Sequence, residues 1–164
     1  MRREDLDRVM AALREPTRRF VQEARVRTCL VVNGAGQVLG QHGFTRSYEI
    51  VNIAALAAAA HAAAGALAGL LDAGRWTHLH NDGERQQMFL APIRTPVEEL
   101  ILIAIFDEDS SLGLVQLFFD QLVEQVQQLP EFQHAAASGD QASFERDLEA
   151  AAHRILSTDG PGGA

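Results

Sequence analysis

His78 and His80 stand two residues apart in the stretch Trp76-Thr77-His78-Leu79-His80-Asn81, and Asp82 follows them. In an extended strand alternate side chains share a face, so both imidazoles would point to one side. Together with His42 and Asp82 they form the only metal-like grouping in the chain. Such a pair ligates zinc or copper once further donors join it. The spacing places no third ligand, and a surface or interface pair of histidines is the simpler account. No metal or other cofactor is expected.

The remaining reactive groups point the same way. Asp107, Glu108 and Asp109 could hold a cation. They also stand where a following helix would present its positive end, which explains them without a ligand. Cys29 is the single cysteine and lies in the apolar run Cys29-Leu30-Val31-Val32. It reads as a small buried hydrophobe. Asn33-Gly34-Ala35-Gly36 is glycine-rich but joins a strand to a strand, so no helix N-terminus follows to receive a phosphate. No P-loop, dinucleotide fingerprint, nucleophile elbow or zinc-protease motif occurs. The chain reads as a binding module without an active site of its own.

Composition narrows the partners. The 164 residues carry a net charge of −8, which argues against general nucleic-acid binding. Arginines gather near the N-terminus, from Arg2 to Arg27, and read as a solvated helix face. The start, Met1-Arg2-Arg3-Glu4-Asp5, lacks the apolar stretch of a signal peptide. An alanine-rich segment over 50–73 is long enough for a bilayer, yet it contains Asn52 and His61. It reads as a buried or interface helix, with no membrane insertion and a cytoplasmic location expected.

These residues need elements to position them. A helix is expected over 3–25, broken or kinked at Pro16. Strands are expected over 26–33 and 38–42 around the Asn33–Gly36 turn. The helix over 50–73 should bury Ile53, Leu56, Ala60, Ala63, Leu67 and Leu70, and end at Gly74. Beside that face runs a stripe of small residues: Ala54, Ala58, His61, Gly65, Ala68 and Gly69. Glycine weakens a helix interior, so the stripe suggests close approach by another backbone. Three strands follow, over 76–81, 86–93 and 98–107. Trp76, His78 and His80 are expected on one face of the first, and the unbroken apolar run of the last marks a central strand. Ser110 or Ser111 caps a helix over 112–128. A linker over 129–141, a helix over 142–157 and a disordered tail over 158–164 complete the chain. The fold class is α+β, a three-layer sandwich with helices on both faces of a mostly antiparallel sheet.

The chain resembles the Roadblock / dynein light chain family, and within it the bacterial MglB-type proteins. Leu30-Val31-Val32-Asn33-Gly34-Ala35-Gly36-Gln37-Val38-Leu39 looks like the family's hydrophobic strand, turn and return strand. The helix from Ile53 to Leu71 looks like its long second helix. Asn81-Asp82-Gly83-Glu84 with Met88-Phe89-Leu90 resembles its polar hairpin. Leu102-Ile103-Ala104-Ile105-Phe106-Asp107, then Ser111-Leu112-Gly113-Leu114-Val115, resembles the strand, acidic loop and helix start. The resemblance spans roughly residues 5 to 128 and places the domain over 1–128. It implies a five-stranded antiparallel, profilin-like sheet. It further implies a homodimer formed through the third strand and second helix. Here that seam maps to Ala54, Ala58, His61, Gly65, Ala68, Trp76, His78 and His80. The resemblance also implies a small Ras-like GTPase as partner, whose hydrolysis is stimulated by repositioning its own groups. Plain scaffolds share the fold, so a non-regulatory adaptor is the alternative.

Overall fold

The computed structural model describes residues 3–43 and 47–133. In chain order the elements are α1 (Arg3–Glu23), β1 (Thr28–Asn33), β2 (Val38–His42), α2 (Ser47–Leu70), β3 (Leu79–Asp82), β4 (Gln87–Arg94), β5 (Glu99–Phe106), α3 (Leu112–Gln128) and α4 (Pro130–Gln133). The strands form one antiparallel sheet in the order β2-β1-β5-β4-β3. β5 is therefore the central strand, as its continuous apolar run implies.

Alternation along β1 and β5 builds two cores. Cys29, Val31, Leu100, Leu102 and Ala104 face α1, α3 and α4, where Leu13, Phe20, Val115, Leu122 and Phe132 are buried. Leu30, Val32, Ile101 and Ile103 face the opposite way and, with Leu90, receive α2. The expected three-layer arrangement is the observed one.

Hydrogen-bonding side chains set the turns. Asn33 Oδ1 accepts from the backbone N–H groups of Ala35 and Gln37, and Gly36 turns the chain at φ 78°. Ser111 caps α3 by accepting from the Leu114 N–H. Ser110 instead donates to the carbonyl of Ala24, just past the end of α1. Pro92 lies inside β4, but β3 pairs no further along β4 than Leu90, so the missing N–H costs no bond to β3.

Several expectations are corrected. α1 runs unbroken through Pro16, because Thr17 Oγ1 donates back to the carbonyls of Leu13 and Arg14 and holds that turn closed. The left-handed residue that ends α2 is Asp72 (φ 50°), not Gly74. Ala73 N–H closes onto Ala68 O and Asp72 N–H onto Gly69 O, the double bond pattern of a helix stop. Arg25 does the same for α1 at φ 54°, with Val26 N–H on Val21 O. Residues 129–133, expected to open a linker, continue the fold: Leu129 caps α3 and a single helical turn buries Phe132. The expected helix over 142–157 and tail over 158–164 lie outside the described residues.

Four of the N-terminal arginines form ion pairs. Arg8 pairs with Asp5, Arg18 with Glu15, Arg19 with Glu23 and Arg27 with Asp107. The first three pairs lie along α1, as a solvated helix face would have them, and the fourth ties the chain beyond it to the end of β5.

Candidate functional site

α2 is apolar on every side, and this decides what the molecule offers to others. Its sequence is long and apolar enough to cross a bilayer by length and composition. In the structure it lies on the sheet instead, against β1, β4 and β5. The side chains that touch the sheet are two isoleucines and otherwise alanines. Ala54, Ala57 and Ala68 are buried, as is Ile50, while Ile53, Ala58 and Ala60 are half-buried. The larger residues face away: Leu56 is 71% exposed, Leu67 56% and Leu70 85%. Ala55, Ala59, Ala63 and Ala66 lie among them, also exposed.

The expected orientation of α2 thus holds only in part, with Ile53 and Ala60 packed on the sheet-side core as expected. Of the residues assigned to its core face, Leu56, Ala63, Leu67 and Leu70 are exposed. Ala54, assigned to a seam with another molecule, is covered by the chain's own sheet, and Ala68, assigned there too, is buried. The physical reason is that β1, β4 and β5 already fill the interior with Leu30, Val32, Leu90, Ile101 and Ile103. Small residues let the helix approach that surface closely. Gly36 lies in contact range of α2, since a Cβ there would stand 3.6 Å from Ala54 O and 3.8 Å from Ala58 Cβ, but its positive φ and not lack of space is what favours glycine.

His61 and Gly65 belong to a different feature. A cavity of about 510 Å³ is lined by His61, Gly65, Ala68, Trp76, Arg94 and Glu99, among others. His61 Nε2 lies 2.8 Å from Glu99 Oε1, and Arg94 Nε lies 2.9 Å from Glu99 Oε2. Arg94 Nη2 donates to the Trp76 carbonyl at 3.0 Å. The His61 and Trp76 rings are 5.2 Å apart and tilted. Arg94 and Glu99 had no signal in the sequence, because only the β4–β5 register brings them opposite each other.

Trp76, His78 and His80 do not share a face. Regular strand begins only at Leu79, so period-two alternation does not reach back to Trp76. Trp76 packs on the α2 side. His78 stacks on Phe89 and lies 3.2 Å from Gln116 of α3, while His80 stacks on Phe106 and meets Gln87 at 2.9 Å. His42 sits on β2, at the far edge of the sheet from β3. Among the described residues no group of three or more His, Cys, Asp or Glu converges as a metal site.

Two further groups have structural explanations. Cys29 is fully buried, and burial drives its thiol well above the ordinary range, away from nucleophilic chemistry. The Asp109 backbone N–H, and then the Arg27 guanidinium, hold the Asp107 carboxyl below its usual value. β3 remains an edge strand, with all four residues exposed and pairing only to β4 among the described residues.

Comparison with known proteins places this geometry. Residues 13–106, more than half of the chain, match the family model of the Roadblock/LC7 domain. Similar solved structures include Myxococcus xanthus MglB, at 24% identity and a TM-score of 0.63 over 77% of this chain and 90% of that one. At that identity the likeness speaks to the fold alone. The gliding protein MglB from Thermus thermophilus is 25% identical, with a TM-score of 0.61 over 77% of this chain and 91% of that one. An MglB with a tetrameric arrangement is 25% identical, with a TM-score of 0.61 over 77% and 90% of the two chains. No curated protein sequence matches significantly.

Proposed function

The chain belongs to the Roadblock/LC7 domain family, and from that premise we propose that it is a homodimeric interaction module that binds a small Ras-like GTPase and stimulates its hydrolysis. It acts in the cytoplasm and contributes no catalytic group of its own. The observation that carries this reading is the outward face of α2. Leu56, Leu67 and Leu70 with the intervening alanines make an apolar surface about 21 Å long on this helix. Contiguous apolar surface of this kind marks a protein-interaction site.

The second copy would meet this face and the free edge of β3, in keeping with the family resemblance. The seam therefore shifts from the small stripe to the leucine face of the same helix. Ala54, Ala58 and Ala68 support the seam from beneath, and His78 and His80 flank it at the start of β3. Regulation of a GTPase would then require no inserted side chain, only placement of the partner's own groups.

The decisive experiment mixes the protein with a Ras-like GTPase encoded beside it and follows phosphate release. Acceleration together with preference for the GTP-bound form supports the reading. Absence of binding to either nucleotide state rejects it. Binding that ignores the nucleotide would make the chain a scaffold instead.

A further inference from the structure

The two halves of α2 are held on the sheet by different means. From Ile50 to Ala57 the helix is seated by Ile50, Ala54 and Ala57, all buried against Leu30, Val32, Leu90, Ile101 and Ile103. Beyond Ala58 the inward residues are Ala60, His61, Ala64, Gly65 and Ala68, and of these only Ala68 is buried. The 510 Å³ cavity opens beneath this half, and a Cβ built on Gly65 would meet nothing within 4 Å. Interiors are rigid because they are close-packed, and this stretch is not.

One side chain crosses the gap. His61 reaches Glu99 at 2.8 Å and lies against Trp76 at 5.2 Å. Its Nε2 faces a carboxylate and so carries the proton there. Its Nδ1 is buried without a hydrogen-bond partner among the described residues, so Glu99 is the ring's polar hold. Glu99 is itself fixed by Arg94, which is anchored on the Trp76 carbonyl.

We propose that the His61–Glu99 bridge is a latch, and that residues 61–70 of α2, with Leu71 after them, open and close over the cavity while residues 50–57 stay seated. Opening leaves about ten residues of helix without tertiary support, a length that is marginal in water. The moving half carries Leu67, Leu70 and Leu71, the last just past the helix end, all exposed. A partner gripping those leucines therefore engages a segment that adjusts its distance from the sheet without disturbing either core. The inference needs no particular partner.

Amide hydrogen exchange on the full chain tests it, at two protein concentrations so that self-association through the same helix is read separately. Exchange reports local opening directly, so His61→Ala should speed the amides of residues 62–71 by about tenfold and leave residues 50–57 within about twofold. Gly65→Leu, which sends an apolar side chain into the cavity, should slow the same amides more than Gly65→Ala does. The alanine variant accounts for helix propensity alone. Equal acceleration along all of α2, or none at either concentration, overturns the proposal. If His61→Ala does not fold, the Gly65 pair decides, and equal slowing by leucine and alanine overturns it.

Discussion

The Arg27 guanidinium and the Asp107 carboxylate form an ion pair between the residue just before β1 and the residue just after β5. The same carboxylate accepts the N–H of Asp109 in the turn that leads to α3. One side chain thus ties the open ends of two neighbouring strands and shapes the next turn.

That tie should be visible in the pH dependence of folding. Asp107 has a depressed pKa, caused first by the Asp109 N–H and then by Arg27. Its contribution is present above the unfolded value, about 3.9 for aspartate. It is lost as pH falls through the lower folded value. Asp107→Asn should lower stability at neutral pH and flatten the acid limb. Urea denaturation between neutral and acid pH measures both, and parallel curves for the two proteins would refute the assignment.

Ile103 sits on β5 opposite Leu30 and Leu90, with 1% of its surface exposed. Ile103→Ala should cost about 2–5 kcal/mol, as deletion of a buried aliphatic generally does. Denaturant unfolding at neutral pH reads the loss. A cost below about 1 kcal/mol would mean that the α2-side core collapses around the gap.

Arg25 holds a left-handed backbone at the end of α1, and its side chain is exposed. A glycine there relieves the clash between Cβ and the backbone. Arg25→Gly should stabilise the fold by about 1 kcal/mol, visible as a raised thermal midpoint. An unchanged or lowered midpoint would show that the unfolded chain gains more from glycine than the folded chain does.

Neighbouring residues of α2 should behave oppositely. Leu67→Glu alters an exposed position and should leave monomer stability within about 0.5 kcal/mol while weakening self-association. Ala68→Glu puts a charge at a buried position and should lower the stability of the monomer itself. Sedimentation and thermal melts on both variants separate the two effects. A dimer indifferent to Leu67→Glu would move the seam away from this face.

Much of the fold was legible because its signals are local. Asn33-Gly34-Ala35-Gly36 and Asp82-Gly83 announce their hairpins, and the unbroken run of β5 announces a central strand. The Ser110-Ser111 pair placed the start of α3. The orientation of α2 was not legible. Periodicity identifies an inward face by contrast with a polar one, and α2 offers no such contrast. Size then misleads, since beyond Ile50 and Ile53 the side chains that α2 turns to the sheet are alanines. The polar bridge at His61 was hidden for another reason: Arg94 and Glu99 meet it only through strand register.

The place of β1 in the sheet has a consequence for how the chain comes into being. β1 and β2 form a hairpin from nearby residues, but the inner side of β1 pairs with β5, and Thr28 meets Ile105. During synthesis the early hairpin must wait for the last strand, with the backbone of Leu30, Val31 and Val32 unpaired on that side. An uncovered apolar strand edge is a template for wrong pairing, and pairings this distant in sequence form slowly. The chain's most exposed moment thus falls before residue 106 emerges, and nascent or truncated forms lacking β5 should be its aggregation-prone species.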